Sequence, residues 1–177
     1  TGILRYESDH FMLFIKACLQ MGSAPECDDL PINIIPVDYM AKFIVHDVLY
    51  NKNDNGRVYN IRTDDCLNLQ DIIAYTAGRV NQKIRFIPFK KWQAELIHAG
   101  TKNALYPLLS LYLDENSRNT IEAYSDIAKL KNDVFTDSYR KLALQTIPTI
   151  KQRLPVYTDF LVKHGFFVCT MSLSNIL

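Results

Sequence analysis

The spacing of apolar residues predicts that helices and strands alternate in the first half of the chain. Helices are predicted where apolar residues recur every three or four positions, over 8–21, 37–50 and 68–78. Strands are predicted where apolar and β-branched residues are consecutive or alternate with polar ones, over 32–35, 57–61 and 83–89. Ser8 or Asp9 can cap the first helix, and Gly22 can end it.

The second half of the chain is predicted to consist of helices. Apolar residues follow helical spacing over 90–98, 103–113, 138–145 and 150–164, and no strand is predicted beyond residue 89. The predicted fold class is α/β, predominantly helical, with a small, mainly parallel sheet of short strands and a C-terminal helical bundle. We expect the helical half to have its own core. About three short strands cannot bury both faces of a sheet, so the first half is expected to need a neighbouring domain.

The turn Pro36-Val37-Asp38-Tyr39 separates the strand over 32–35 from the helix over 37–50. Pro36 has no N–H to donate to a ladder, so it can end the strand. Asp38 can accept hydrogen bonds from the free N–H groups of the first helical turn and interact with the positive end of the helix dipole. Asp38 is thus predicted to cap the helix. Contact with a substrate or with a neighbouring domain is the alternative role.

Composition argues against several classes of function. Of the 177 residues, 48% are hydrophobic and 22% are charged, and the net charge of +1 provides no field that would attract nucleic acid or an anionic membrane. The apolar runs are too short to span a bilayer, and the N-terminal residues do not resemble a signal peptide. The first residue is Thr1 rather than methionine, and we expect the chain to be a piece of a longer polypeptide.

The cysteines and histidines do not have the spacing of a metal site. No two cysteines form a C-x-x-C pair, and Cys18 falls at an apolar position of the first predicted helix. Reduced thiols in a cytoplasmic protein are therefore expected, and no metal ligand is predicted. The residues concerned are Cys18, Cys27, Cys66, Cys169, His10, His46, His98 and His164.

Motifs of known catalytic sites are absent from the sequence. It contains no G-x-G-x-x-G, no G-x-x-x-x-G-K-[ST] and no G-x-S-x-G. The pairs Asp28-Asp29 and Asp64-Asp65 lie in polar segments, where solvated turns explain them better than a paired-carboxylate site. The basic and aromatic residues at 90–92 and 139–144 are expected to combine core packing with solvated charges. No catalytic or cofactor-binding residue is predicted in this chain.

Four stretches, taken in order, resemble the later part of an extended short-chain dehydrogenase/reductase. More specifically, they resemble the C-terminal part of a thioester reductase domain, the terminal reductase of nonribosomal peptide synthetases, polyketide synthases and carboxylic acid reductases. The stretches are Thr1-Gly2 with DHFMLFIKACLQMGSAP (9–25), INIIPVDYMAKFIVHDVL (32–49), GRVYNI with the following helix (56–78), and YTDFLVKHGFF (157–167). KKWQAELI (90–97) and NALYPLLSLYL (103–113) match more loosely.

The resemblance covers part of the family's fold. Thr1-Gly2 looks like the end of the family's R-P-G-x-I-T-G strand and turn. The glycine-rich nucleotide loop, the catalytic Ser/Thr and the Tyr-x-x-x-Lys, which precede that turn in the family, are not in this chain. The loop between Gly2 and Asp9 is also shorter than the family's. The resemblance implies a partial fold that lacks the Rossmann half, with residues 1–167 as a substrate-binding subdomain and 168–177 as a tail.

For the parent protein, the resemblance implies NADPH-dependent reduction of an acyl or peptidyl thioester to an aldehyde or alcohol. The partners implied are the upstream Rossmann domain of the same polypeptide and an acyl carrier protein with its phosphopantetheine arm, with no nucleic acid and no membrane. This chain alone is expected to bind no NADPH. The Pro-Val-Asp turn would lie near the mouth of the cleft. Met12, Asp38 and Tyr39 are the predicted substrate-binding residues, with core packing as the competing interpretation.

Two alternatives stay open. The chain could be a non-catalytic module that binds a carrier protein or an acyl chain, or part of another extended reductase, such as a fatty acyl-CoA reductase or a nucleotide-sugar epimerase. A glycine-rich loop and a Tyr-x-x-x-Lys upstream of Thr1 would favour the reductase over the binding module. In either reductase, apolar side chains near 1–3 and in the 34–40 turn are expected to be exposed where the neighbouring domain packs.

Overall fold

The computed structural model describes residues 6–27, 29–51, 56–114 and 118–168. Within these ranges the chain is mainly helical. The helices are α1 (His10–Met21), α2 (Val37–Tyr50), α3 (Leu69–Arg79), α4 (Phe89–Ala99), α5 (Arg118–Glu122), α6 (Asp126–Lys129), α7 (Asp133–Lys141) and α8 (Ile150–Lys163). Short 3₁₀ helices lie at Gly100–Lys102, Tyr106–Tyr112 and Ala123–Ser125. None of the helices in the described ranges is long and apolar enough to cross a membrane.

The described strands pair in two separate ladders. Strand β1 (Ser23–Pro25) runs parallel to β4 (Arg85–Ile87). Strand β2 (Pro31–Ile32) runs antiparallel to β3 (Leu67–Asn68). The predicted fold class, α/β and predominantly helical with a small sheet, is confirmed. The strands are shorter than predicted, and one of the two ladders is antiparallel.

The ends of α1 follow the capping residues of the sequence. The Asp9 carboxylate accepts a hydrogen bond from the Met12 N–H, with an N···O distance of 2.9 Å. At the other end, Gly22 adopts a left-handed conformation (φ 65°), and its N–H donates to the carbonyls of Cys18 and Leu19. A residue with a side chain is disfavoured in this conformation, so Gly22 ends the helix. Both predicted boundaries of this helix are confirmed.

The predicted strand over 57–61 is wrong, because this segment is irregular. Its side chains attach it to neighbouring helices and loops: the Tyr59 hydroxyl donates to Asp47 Oδ1 over 3.0 Å, and the Asn60 amide donates to the Lys131 carbonyl over 3.0 Å. A strand needs a neighbouring strand for its backbone hydrogen bonds. The described residues form no ladder with this segment, although its sequence is typical of a strand.

Two predicted helices of the second half differ from those observed. The segment predicted over 103–113 contains a 3₁₀ helix at Tyr106–Tyr112, with proline in its first turn. The helix predicted over 138–145 is α7, which begins earlier and ends at Lys141. Ala143 has a positive φ of 48°, which an α-helix cannot accommodate, so the chain turns back after α7. The other two predicted helices, α4 and α8, lie within a residue of their expected bounds.

One hydrophobic core joins the two halves of the chain, so the expectation of a separate core after residue 89 is wrong. Phe14 of α1 is fully buried and packs against Trp92 of α4, with ring centroids 5.6 Å apart, and against Tyr112. Leu161 of α8 belongs to the same core. Helix α1 thus supplies the apolar surface on which the later helices pack.

Candidate functional site

Helix α2 exposes most of its apolar residues. Among its 14 residues, only Tyr39 and Phe43 are buried. Val37 and Val48 are 72% and 74% exposed, whereas a surface helix normally buries its apolar stripe against the core. The exposed apolar residues follow the spacing i, i+4, i+7, i+8 and i+11, which places them on one side of the helix. This α2 apolar face consists of Val37, Ala41, Ile44, Val45 and Val48.

The position of this face agrees in part with the expected patch. Val37 lies within the 34–40 turn and is exposed, as predicted. Ile34 is partly buried against the main core, and the apolar exposure extends along α2 to Val48. Residues 1–3, the other expected part of the patch, lie outside the described residues. Exposed apolar side chains that are contiguous on one face are typical of an interface.

The buried side of α2 forms a cluster of aromatic rings with the segment after α2 and with α7. Phe43 is 1% exposed, and its ring centroid lies 5.2 Å from Tyr59, 4.9 Å from Phe135 and 6.1 Å from Tyr139. We call these four residues the Phe43 cluster. Edge-on and offset aromatic pairs of this kind add to the free energy of burial. The cluster therefore fixes the orientation of α2 relative to α7.

The first turn of α2 packs on α8. The Tyr39 ring is buried, and the Arg153 guanidinium lies 5.3 Å from its centroid. Burial raises the pKa of Tyr157, an effect that the nearby Arg153 opposes and that Asp38 and Tyr39 reinforce. Two of the predicted substrate-binding residues, Asp38 and Tyr39, thus lie at the junction of α2 with α8.

The prediction that Asp38 caps α2 is wrong in position. The N-cap residue is Pro36, which offers no side-chain hydrogen bond, and Asp38 lies inside the first turn. The Asp38 carboxylate accepts a hydrogen bond from the Tyr39 N–H over 3.2 Å, and the same N–H also donates to the Pro36 carbonyl over 3.1 Å. The N-cap position therefore lies two residues before Asp38.

Met12, the third predicted substrate-binding residue, lies in a different environment. It belongs to the first turn of α1, and its partly buried side chain packs against the main core. Tyr39 is buried outside that core, against α8. Within the described residues Met12 has a packing role, and its part in substrate binding stays a prediction.

A groove lies beside α7, and no residue of it was among the predicted site residues. Residues 62–64, α7 and the returning segment 144–147 line this groove, which we call the α7 groove. Its volume is about 350 Å³. Two members of the Phe43 cluster lie in its wall, next to two arginines. The residues that matter for its chemistry are Arg62, Phe135, Tyr139, Arg140, Leu144 and Ile147.

Arg62 is held firmly in the wall of this groove. Its side chain is 16% exposed. The guanidinium donates to the Thr63 carbonyl over 3.2 Å and to Asp64 Oδ1 over 3.3 Å, and it lies 3.5 Å from Asn132 Oδ1. Asn132 in turn donates to the Arg62 carbonyl and to Thr136 Oγ1. The sequence offered one indication of this site, the basic and aromatic residues at 139–144, which were interpreted as core and solvated charges.

The described residues contain no glycine-rich turn of the kind that binds a dinucleotide pyrophosphate. A pyrophosphate binds at a helix N-terminus that follows a strand, where glycines allow close approach and free N–H groups donate. The strand β4 leads directly into α4, but the residue between them is Pro88, which has a ring and no N–H. No turn from a strand to a helix in the described ranges is rich in glycine. The described residues also contain no group of His, Cys, Asp and Glu that could hold a metal ion.

Comparison with curated proteins finds reductases. No family model matches the chain. Over 170 residues the chain is 27% identical to L-2-aminoadipate reductase of Saccharomyces cerevisiae, covering 90% of this chain and 12% of that protein. It is 28% identical over 111 residues to aldehyde reductase lnbA of Aspergillus flavus, covering 61% of this chain and 11% of that protein. The chain thus spans a small part of the relatives that it matches.

Comparison with solved structures finds terminal reductase domains. The R domain of the myxalamid PKS-NRPS pathway matches with a TM-score of 0.73 and 21% identity, over 97% of this chain and 42% of that one. A thiolation-reductase di-domain from an archaeal nonribosomal peptide synthetase matches with a TM-score of 0.63 and 17% identity, over 93% of this chain and 33% of that one. The predicted resemblance to the C-terminal part of a thioester reductase domain is confirmed, and the chain has the fold of part of such a domain.

Proposed function

We propose that this chain is the substrate-binding portion of an NADPH-dependent thioester reductase that releases an acyl or peptidyl chain from a phosphopantetheinyl carrier protein. The observation that carries the proposal is the fold: 97% of the chain matches less than half of a terminal reductase domain, with a TM-score of 0.73. The similarity to L-2-aminoadipate reductase over 90% of the chain supports the same class of reaction. A carrier-protein partner is supported by the thiolation-reductase di-domain among the structural neighbours.

The α2 apolar face is the surface through which this portion would contact the nucleotide-binding domain of the same polypeptide. Its residues are apolar, lie on one side of a single helix and are exposed to solvent. NADPH would bind in that nucleotide-binding domain, since the described residues have no glycine-rich turn from a strand to a helix. Packing of that domain on α2 would bury the exposed valines and add to the stability of both parts.

In the proposed reaction the thioester is reduced and the carrier thiol is the leaving group. One acyl thioester, one NADPH and one proton give one aldehyde, one free thiol and one NADP⁺; a second NADPH and proton would give the alcohol. The contribution of this chain is to bind and orient the acyl group. Asp38 and Tyr39, at the junction of α2 with α8, are proposed to border the acyl pocket, with Tyr39 held in place by Arg153. Met12 lies apart from them on α1, and a contact of Met12 with the acyl group is a separate proposal.

A non-catalytic binding module is the second candidate. It is favoured by one observation, that the described residues contain no glycine-rich phosphate-binding turn and no metal-ligand cluster. Such a module would bind a carrier protein or an acyl chain without catalysing a reaction. The two candidates differ in whether the polypeptide consumes NADPH.

The experiment that decides between them uses the whole polypeptide that contains this chain. NADPH oxidation is followed with a panel of acyl groups loaded on a carrier protein, and the released product is identified by mass spectrometry. The reductase proposal predicts thioester-dependent NADPH oxidation with release of an aldehyde or alcohol. Binding of loaded carrier protein without any NADPH oxidation would replace it with the binding module.

A further inference from the structure

We propose that the α7 groove binds an extended acyl group that ends in a carboxylate, with the acyl chain on the aromatic and aliphatic wall and the carboxylate at Arg62. The proposal rests on the geometry of the groove and does not require the reductase function. The volume of about 350 Å³ lies in the range of ligand sites, roughly 300–1,000 Å³.

The apolar wall of the groove is built by the reversal of the chain after α7. The left-handed conformation of Ala143 turns the chain so that Leu144 and Ile147 line the groove together with residues of α7. The Tyr139 hydroxyl donates to the Gln145 carbonyl over 2.6 Å, which fastens the returning segment to α7. Phe135 is held from behind by Phe43. An apolar ligand would therefore meet a surface that is already formed.

Arg62 supplies a positive charge that its protein partners balance incompletely. Its Nε is buried and has no hydrogen-bond partner among the described residues. Among the described residues, the carboxylate that contacts its guanidinium is Asp64, whose side chain is 81% exposed and therefore well screened by water. A mostly buried guanidinium with an unpaired Nε and a solvent-screened carboxylate partner favours an additional anionic acceptor.

The other groups of the groove also favour a carboxylate over competing ligands. Arg140 is a second cation of the wall; its partner within the described residues is Asp137, in an exposed pair one helical turn away. With two arginines and one aspartate, the wall disfavours a metal cation, and a neutral acyl group would leave both arginines unused. The planar fork of arginine matches the two oxygens of a carboxylate.

The first test is the titration of the chain with octanoate by isothermal calorimetry, with octanamide as the neutral analogue. We expect saturable binding of octanoate at one site, and binding of octanamide that is weaker by about tenfold or more, since a hydrogen bond to a charged group contributes ~1.5–3 kcal/mol. Arg62→Met should remove this preference, whereas Arg85→Met, at an exposed arginine of β4 outside the groove, should retain it.

A second variant keeps the test valid should Arg62→Met fail to fold. Leu144 lines the groove and is partly exposed, so Leu144→Glu places a negative charge in the groove. It should abolish octanoate binding, with an unchanged circular dichroism spectrum. Equal binding of octanoate and octanamide, or octanoate binding by Leu144→Glu at the wild-type affinity, would overturn the proposal. Either result would mean that the α2 apolar face or another apolar surface takes up the alkyl chain.

A third measurement distinguishes the two sources of such a ligand, a free carboxylate and the acidic end of a substrate. In the whole polypeptide, octanoate is added to NADPH-oxidation assays with an adipoyl and with a hexanoyl carrier thioester. Competition with the adipoyl thioester alone would assign the groove to the acidic end of the substrate. The same effect on both thioesters would assign it to a separate carboxylate ligand. The calorimetry stands whether or not the polypeptide proves to be a reductase.

Discussion

The ring of Phe43 meets the ring of Phe135 edge-on, with centroids 4.9 Å apart and ring planes at 77°. This contact joins the buried side of α2 to α7. Helix α2 thus exposes the α2 apolar face on its outer side, while its buried side packs on Phe135, which lines the α7 groove. The two surfaces for which we propose functions therefore lie on either side of the Phe43–Phe135 contact.

Replacement of Phe43 should destabilise the chain strongly. Phe43→Ala removes a ring that is 1% exposed and leaves a cavity between α2 and α7, which typically costs about 3–5 kcal/mol of unfolding free energy. Ile44→Ala, at the neighbouring position that is 48% exposed, should change stability by less than about 1 kcal/mol. Urea denaturation of both variants measures the difference. Equal losses would mean that α2 is not packed as described.

The capping roles of two aspartates should differ in stability measurements. Asp9 is the N-cap of α1, and Asp9→Ala should cost about 1 kcal/mol. Asp38 lies inside the first turn of α2 and shares the Tyr39 N–H with the Pro36 carbonyl, so Asp38→Ala should cost less, about 0.3–1 kcal/mol, from its interaction with the helix dipole. Thermal denaturation of the two variants ranks them. A larger loss for Asp38→Ala would indicate a partner beyond the first turn.

The stability of the chain should fall on mild acidification because of His10. Its Nε2 lies 2.7 Å from the Tyr112 hydroxyl, and its ring also packs on Tyr124. Burial lowers the pKa of His10 below its usual value of 6.5, although Asp9 opposes this. As the pH falls, the unfolded chain takes up this proton before the folded chain does, so the stability present above pH 6.5 is lost at lower pH.

His10→Gln should therefore flatten the dependence of stability on pH between about pH 7 and 5. His98→Gln, at an exposed histidine of α4, serves as the matched control and should leave the slope unchanged. Urea denaturation at several pH values gives the slopes. A wild-type slope that His10→Gln does not reduce would contradict this role of His10.

The α2 apolar face should bind a hydrophobic dye in the chain as it stands. Bis-ANS fluorescence reports such surfaces, and Val45→Lys with Val48→Lys should lower it strongly, because both side chains are more than half exposed. Stability should change little, since neither side chain is buried in the chain. The same dye signal in the double variant would place the main exposed apolar surface elsewhere.

Local features of the fold were predictable from the sequence, and features that depend on distant partners were not. The bounds of α1 follow from Asp9 and Gly22, which act on their own neighbours in the chain. Strand β1 is three residues long, ends in a proline and looks like a loop; it becomes a strand because β4 lies beside it. The reverse holds for the segment 57–61. Its β-branched and aromatic residues are typical of a strand, but no described residue provides a partner strand.

The candidate surfaces also divide into one that was predictable from neighbouring residues and one that depends on distant partners. The expectation that apolar side chains would be exposed near the start of α2 followed from the small sheet and is confirmed at Val37. The α7 groove could not be predicted, because tertiary packing brings Arg62 and Tyr139 together from segments far apart in the sequence. Tyr139 belongs to the basic and aromatic stretch 139–144, whereas Arg62 lies in no motif that indicates a ligand.

The most direct test of the account measures NADPH oxidation by the whole polypeptide with an acyl carrier thioester as substrate, in the wild type and in two double variants. Val45→Lys with Val48→Lys places charges on the α2 apolar face, and Ile97→Lys with Ile127→Lys places the same charges at exposed apolar positions of α4 and α6. We predict that the wild type and the α4/α6 variant reduce the thioester, and that the α2 variant loses most of this activity. Absence of thioester-dependent NADPH oxidation in the wild type, or equal activity of the two double variants, would contradict the account.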